Sequence, residues 1–493
     1  MIIYQGTKTR FLHDTDNRDI EDVVSSAYLA ATGKYVPHAE IRSWRESLGQ
    51  MAKVLRDKDM PDDMGVGIEY GIPQTSKRID FILSGRGSDN RPRLIVVELK
   101  QWSSSKLTDK DGIIIAHRGG AHEREGAHPC YQAWSYAALL EGFNEAVYDG
   151  DVTLKPCAYL HNYNDDGIIS NQHYAAYIEK APLFLRGDDE RERLRDFIKS
   201  QVKHGDKAEL LYKIENGRIR PSKMLSDSLA KMLKGNREFV LIDEQKVVYE
   251  TALVLARAAR VDKKLVAIIK GGPGTGKSVV AINLIVALTQ LGLLTKYVSK
   301  NSAPRSVYKQ RLTGSFTQVE ISSLFSGSGA FTTTEPNIFD ALIVDEAHRL
   351  NKHSGLYGNL GENQIKEIIN SAKCTILFVD DDQIVTINDI GHSSELERWA
   401  IELGAQVTHL ELASQFRCNG SDGYLAWLDN LLGIRETANE DFDPDAFDFR
   451  VIDSPTELHR QISKKNQANN KSRVVAGYCW DWPSKKSPTP LTL

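Results

Sequence analysis

At 493 residues, 41% apolar and 26% charged, the chain is too long for one core, and its make-up excludes wholesale disorder and fibrous repeats; about three domains are expected. A formal net charge of −4 excludes a global attraction to nucleic acid but leaves room for local basic grooves, and no apolar run reaches membrane-spanning length. Five scattered cysteines without a C-x-x-C pair, and an N-terminus lacking a long apolar segment, argue against export and a cysteine-built zinc site, so a cytoplasmic protein is expected.

Residues 20–55 carry apolar side chains at helical spacing, Val23, Val24, Ala27 and Tyr28, then Ile41, Trp44 and Leu48, which predicts two helices. Three short segments follow the Pro61-Asp62-Asp63 break, at 66–72, 77–83 and 93–100, and read as an antiparallel meander. Alternation turns Asp80 away from the side that Ile79 and Phe81 bury. It also sets Glu98 and Lys100 on one face, with Leu99 on the other. Asp80 and Glu98, helped by the carbonyl of Leu99, suit a hard divalent cation, Mg²⁺ with Mn²⁺ able to substitute. Lys100 would polarise or position the attacking water, and the chemistry implied is metal-assisted phosphodiester hydrolysis. The bland alternative is a solvated strand edge. Glu40, Glu46 and Glu69 are further carboxylates, and a surface position is expected for each.

Asp80 and the Glu98-Leu99-Lys100 triplet resemble the PD-(D/E)XK nuclease superfamily, with Ile79 standing where that motif writes proline. In HPCYQAWSYAALLE, Gln132 and Tyr136 resemble the helical motif of RecB-type nucleases and share a helix face at i and i+4. Residues 155–162 would be the returning core strand, completing the αβββαβ order of a nuclease domain over 1–185. The resemblance implies catalytic roles for Asp80, Glu98, Lys100, Gln132 and Tyr136, and a metal held by Asp80, Glu98 and Leu99. Between the motifs, GIIIAHRGGAHEREGAHPC reads as a mobile loop bordering the cleft, with Arg118 and Arg124 available to phosphate. His117, His122, His128 and Cys130 match no zinc-module spacing. The charged run from Arg186 reads as a solvated helix, and 186–237 as a helical connector whose Arg218, Arg220, Lys223, Lys231 and Lys234 face nucleic acid or solvent.

The run 265–291, LVAIIKGGPGTGKSVVAINLIVALTQL, is an apolar strand, a glycine loop and a helix. It completes G-x-x-x-x-G-K-S from Gly271 through Gly272, Pro273, Gly274, Thr275 and Gly276 to Lys277 and Ser278. Glycines let backbone N–H groups turn toward phosphates, Lys277 would reach the β and γ phosphates of ATP, and Ser278 would ligate Mg²⁺. In DALIVDEAHRL, a buried strand delivers Asp345 to Mg²⁺ and Glu346 to the hydrolytic water.

Flanking segments resemble superfamily 1 helicases. Gln245 falls where these carry the glutamine that reads adenine, Lys300-Asn301-Ser302 where a segment meets the single-strand backbone, and Asp380 to Gln383 where γ-phosphate is sensed. Gln415 and Arg417 match the next motif, which makes Arg417 the arginine-finger candidate. Taken together, 238–482 resembles the Schlafen-type helicase-like P-loop domain. That implies a RecA-like lobe over 238–403 and an incomplete second RecA-like lobe with a tail over 404–493. Later helicase motifs are not recognisable, so a truncated chain, a homo-oligomer or partner subunit completing the ATP cleft, or ATP acting as a switch is expected. The fold class is α/β, and the function implied is an ATP-regulated, Mg²⁺-dependent nuclease acting on DNA in anti-phage defence or repair. An RNA or tRNA nuclease, and an ATP-gated nucleic-acid sensor with an inert nuclease fold, are the other readings.

Overall fold

The computed structural model describes all residues except 34, 73–76, 118–122, 149–151, 218–228, 230, 234–239, 314, 355–359, 385, 414–421, 435, 437–448, 470–471 and 476–493. The chain divides into two compact units, Met1–Asp422 and Gly423–Leu493.

In the first unit, strand β1 (Ile2–Thr7) leads into helices α1 (Lys8–Asn17), α2 (Ile20–Thr32) and α3 (His38–Leu55). Helix α3 forms because Trp44, Leu48, Met51, Ala52 and Leu55 recur on one face, all buried. The predicted meander follows as β2 (Gly65–Gly71), β3 (Arg78–Arg86) and β4 (Pro92–Lys100), paired antiparallel. Next come β5 (Ser105–Leu107), β6 (Ile113–His117) and β7 (Glu123–Ala127), a small antiparallel sheet over much of the segment read as a mobile loop. Its cause is local: Ile114, Ala116 and Ala127 pack with Cys130 and Tyr131, giving the glycine-bordered strands a face to bury. Helix α4 (Pro129–Phe143) then leads to β8 (Thr153–Leu160), which returns parallel to β4, and β9 (Leu183–Phe184) closes the edge.

The resulting sheet runs β1-β2-β3-β4-β8-β9. Its central strand is apolar on both faces because both are covered. Ile95 and Val97 pack with Trp44 and Leu48 of α3, while Leu94 and Val96 pack with Tyr136 and Leu140 of α4. The charged run beyond Arg186 forms the helix Asp188–Gln201, which buries only Leu194 and Ile198.

A second sheet contains β10 (Leu265–Gly271), β11 (Thr295–Val298), β12 (Phe325–Ser326), β13 (Phe339–Val344), β14 (Ala372–Val379) and β15 (Gln406–Leu412). It is parallel throughout, in the order β12-β11-β13-β14-β10-β15. Strand β15, read from sequence as the opening of a second lobe, belongs to this sheet, in register from Leu265 opposite Gln406 to Gly271 opposite Leu412. The helix after the glycine loop, Lys277–Gln290, follows β10, and a bridging helix, Asp243–Ala258, packs against it and against β10. In the second unit, helix Pro455–Asn469 is described, and Trp427 meets Phe449 edge-on at 5.0 Å and 71°. Among the described residues no helix is long and apolar enough to cross a membrane.

Candidate functional site

Two clusters of candidate side chains form at strand ends, one in each sheet. In the first, Phe81 lies opposite Val97, so the next step of the ladder brings Asp80 beside Glu98. Asp80 Oδ2 accepts the Leu99 N–H at 2.8 Å, and Lys100 Nζ donates to Glu98 Oε1. Glu98 is 1% exposed, and its Oε2 is buried without a hydrogen-bond partner. Burial raises the Asp80 carboxyl, opposed by Lys100. It raises that of Glu98 well above the usual range, with the Asp80 charge adding to the rise. A buried, orphaned carboxylate oxygen beside a second carboxylate fits a hard cation. Among the described residues no group of three or more His, Cys, Asp or Glu side chains could hold a metal, so the set would be Asp80, Glu98 and a backbone carbonyl, that of Leu99.

Helix α4 presents Gln132 and Tyr136 to the same cleft, with Gln132 Nε2 donating to Tyr136 Oη at 2.9 Å. Tyr136 Oη in turn donates to Asp243 Oδ2 at 2.7 Å, a carboxylate from the bridging helix that sequence reasoning missed. The cleft measures about 930 Å³. Its far wall comes from the second sheet and its helices, through Asp243, Glu244, Val247, His409 and Glu411.

Glu69 departs from the surface position expected of it. It is 6% exposed with φ 54°, accepts Trp44 Nε1–H at 2.8 Å and lies 3.0 Å from Arg78 Nη1. Burial, then the Asp80 charge, pushes its carboxyl up to about 7 against the pull of Arg78. The reason is packing: β2 is covered by α3, whose Trp44 lies over Glu69. Glu40 is half-buried and pairs with Arg78 at 2.7 Å, while Glu46 is exposed as expected. His128 serves the fold. Its Nδ1 caps α4 by accepting the Cys130 N–H, its Nε2 donates to the Ile169 carbonyl at 2.9 Å, and burial pushes it down to about 4. Arg124 lines the cleft, whereas Arg118 and His122 lie outside the described residues. So do the connector cations Arg218, Arg220, Lys223 and Lys234, while Lys231 is exposed.

The second cluster gathers at the carboxyl ends of β10, β13 and β14, neighbours in their sheet. Gly274 and Gly276 take φ of 78° and 88°, the left-handed turn that wraps the loop. Lys277 Nζ donates to the carbonyls of Gly271 (2.6 Å) and Gly272 (2.9 Å) and lies 3.5 Å from Asp380 Oδ2. Thr275 Oγ1 also donates to Gly272, and Pro273 is exposed. Ser278 Oγ and Tyr297 Oη both donate to Asp345 Oδ2, at 2.8 and 2.6 Å. Burial raises the carboxyls of Asp345 and Asp380.

Glu346, at φ 57°, pairs with His348 Nε2 at 2.9 Å. His348 Nδ1 accepts the Asp380 N–H at 3.2 Å, so its proton sits on Nε2 and points at Glu346, whose carboxyl this bond holds below the usual range. Gln245 is buried and donates from Nε2 to the Thr275 carbonyl at 3.1 Å, which brings it onto the glycine loop. Gln383 is half-buried in the short turn after Asp380. Lys300 binds Asn351 and Asp389, and Asn301 caps the following helix, so both have structural employment. Gln415 and Arg417 lie outside the described residues. Tyr297 and His348 were missed; the Asp-Glu-Ala-His run was the available signal for the latter.

No curated protein matches the chain. Residues 264–491 match the family described as Schlafen group 3, DNA/RNA helicase domain, so the part of the chain carrying the glycine loop, Asp345 and Glu346 is similar to that family.

Proposed function

We propose that the chain is an ATP-regulated, metal-dependent nuclease that hydrolyses DNA phosphodiester bonds. One observation carries the reading: Asp80, Glu98 and Lys100 converge at adjacent strand ends with Glu98 Oε2 buried and unpartnered. Asp80, Glu98 and the Leu99 carbonyl would hold Mg²⁺ or Mn²⁺, which supplies charge neutralisation and a more acidic bound water. Lys100 holds and orients the attacking water beside Glu98. Gln132 and Tyr136 offer an amide and a phenol to the phosphate flanking the scissile bond.

The glycine loop takes ATP. Lys277 exchanges the carbonyls of Gly271 and Gly272 for phosphate oxygens, while Ser278 and Asp345 would hold its Mg²⁺. Glu346, oriented by the Nε2–H of His348, sets the water for γ-phosphate attack. Gln245 would read the base, Gln383 would sense the γ-phosphate, and Arg417 would be the arginine finger; a partner subunit or second copy would close that cleft. Similarity of 264–491 to a DNA/RNA helicase domain supports nucleic acid as the polymer, and makes RNA the second substrate to try. Anti-phage defence or repair is the setting such a pairing suits.

The test is a substrate panel: linear duplex, circular duplex, single-stranded DNA, RNA and tRNA, with Mg²⁺ or Mn²⁺, with and without ATP. Metal-dependent DNA cleavage that responds to ATP is expected. No cleavage of any substrate, or cleavage unaffected by chelation, would refute the reading.

A further inference from the structure

The bridging helix starts inside the cleft and reaches the phosphate loop within its first turn. Asp243 Oδ2 accepts Tyr136 Oη at 2.7 Å and lies 3.3 Å from Lys77 Nζ, while Glu244 Oε1 takes the same lysine at 2.7 Å. Gln245 follows, bonded to the Thr275 carbonyl and so close to Gly276 that a Cβ there would fall 2.2 Å from its Nε2. Asp243 holds φ 40°, a left-handed conformation that is uncommon for residues other than glycine and that Asp tolerates better than most. Beyond this turn the helix is tied to the turn between β5 and β6, where Lys246 pairs with Asp111 at 3.0 Å and Lys110 donates to Thr251 at 3.0 Å.

We infer that this first turn is a nucleotide-released plug of the cleft: the Asp243 and Glu244 carboxylates sit at Lys77 and Tyr136 where substrate phosphate oxygens would bind, and adenine at Gln245 withdraws them. The inference rests on the nuclease and nucleotide readings above. A polyanion entering the cleft would meet two carboxylates already neutralising its cation, so this wall opposes it by like charge. Adenine offers a glutamine amide one donor and one acceptor, and meeting both with Oε1 and Nε2 sets the plane of the Gln245 amide by the base instead of by its single bond to the Thr275 carbonyl. Asp243 and Gln245 belong to one turn, and the helix beyond it is tied by Lys246 to Asp111 and by Thr251 to Lys110. Reorienting Gln245 therefore moves Asp243 at its left-handed φ, without displacing the helix.

Reciprocity supplies a test that needs no cleavage. Contacts holding the plug oppose nucleotide, so weakening them must tighten it. With full-length protein and a fluorescent non-hydrolysable ATP analogue, Lys77→Met and Asp243→Asn are each expected to bind about five-fold tighter than wild type. Glu244→Gln, an exposed change at the same contact, reads the effect should either variant lose its fold. Asp243→Asn should also bind a labelled oligonucleotide more tightly without nucleotide, and lose the analogue's enhancement seen in wild type. Unchanged or weaker analogue affinity in the folded variants overturns the plug and leaves the turn a static strut. Linked affinities in a chain that cleaves nothing would refute the nuclease reading alone; cleavage with unlinked affinities would refute the plug alone.

Discussion

Glu69 gives the sharpest quantitative test of how this cleft is built. Its carboxyl, ordinarily near 4.5, is pushed up to about 7 by burial, so the folded chain holds a proton that the unfolded chain releases earlier. Below pH 4.5 both states are protonated and burial has no ionic penalty. As pH rises the unfolded chain ionises first and stability falls, until the folded carboxyl ionises near 7 and the loss levels off. That interval corresponds to roughly 3 kcal/mol. Glu69→Gln should remove the pH-dependent part while its amide oxygen still accepts the Trp44 N–H and Arg78 keeps Glu40. Thermal unfolding of both proteins without divalent cations, from pH 4.5 to 8, should show the variant gaining on wild type across that window. For a cooperative unit of this size the gain is about 3 °C. Parallel curves, or a variant that loses ground as pH rises, would show that Glu69 is not a proton-holding carboxyl and would refute the electrostatic account of the cleft.

Asp80→Asn and Lys100→Ala should each lower Mg²⁺-dependent cleavage by about 100-fold or more. Nucleotide affinity should hold, since both side chains stand at strand ends of the first sheet while the glycine loop follows β10 of the second; equal loss of both activities in a gel assay and a nucleotide titration would count against two centres. Lys277→Ala removes the cation now bonded to the Gly271 and Gly272 carbonyls and should weaken ATP by about ten- to a hundred-fold in calorimetry. His348→Ala leaves Glu346 without its orienting donor, so ATPase kcat should fall about ten-fold or more with KM little changed. A rise in KM alone would make His348 a binding residue instead.

What the sequence made legible was whatever one strand or helix writes in its own period. Alternation put Glu98 and Lys100 on one face, i and i+4 spacing paired Gln132 with Tyr136, and the glycine loop announced the turn at Gly274 and Gly276. What it hid were groups brought in by tertiary packing. Glu69 looks like any strand glutamate until Trp44 covers it, and Asp243 like any acidic helix start until Tyr136 reaches it. The 113–127 segment, punctuated by glycines and histidines, gave a loop signal, yet packing of Ile114, Ala116 and Ala127 against Cys130 and Tyr131 outweighed it. Strand β15 was misplaced for a related reason. Its half-exposed residues carry the weak pattern of an edge strand, and only the parallel ladder to β10 assigns it to the second sheet, beside the glycine loop, instead of a new lobe.

The two centres solve the same electrostatic problem. Asp80 and Glu98 face Lys100, and Asp345 and Asp380 face Lys277, with burial raising all four carboxyls. In each, two carboxylates against one ammonium leave a surplus negative charge in a poorly solvated place, and without a divalent cation the cheapest neutraliser is a proton. A proton and a divalent cation would therefore compete for the same oxygens. Glu346 stands outside that competition. His348 donates to it and holds its carboxyl low, so in the nucleotide reading it would accept a proton from water while its neighbour Asp345 would face the cation.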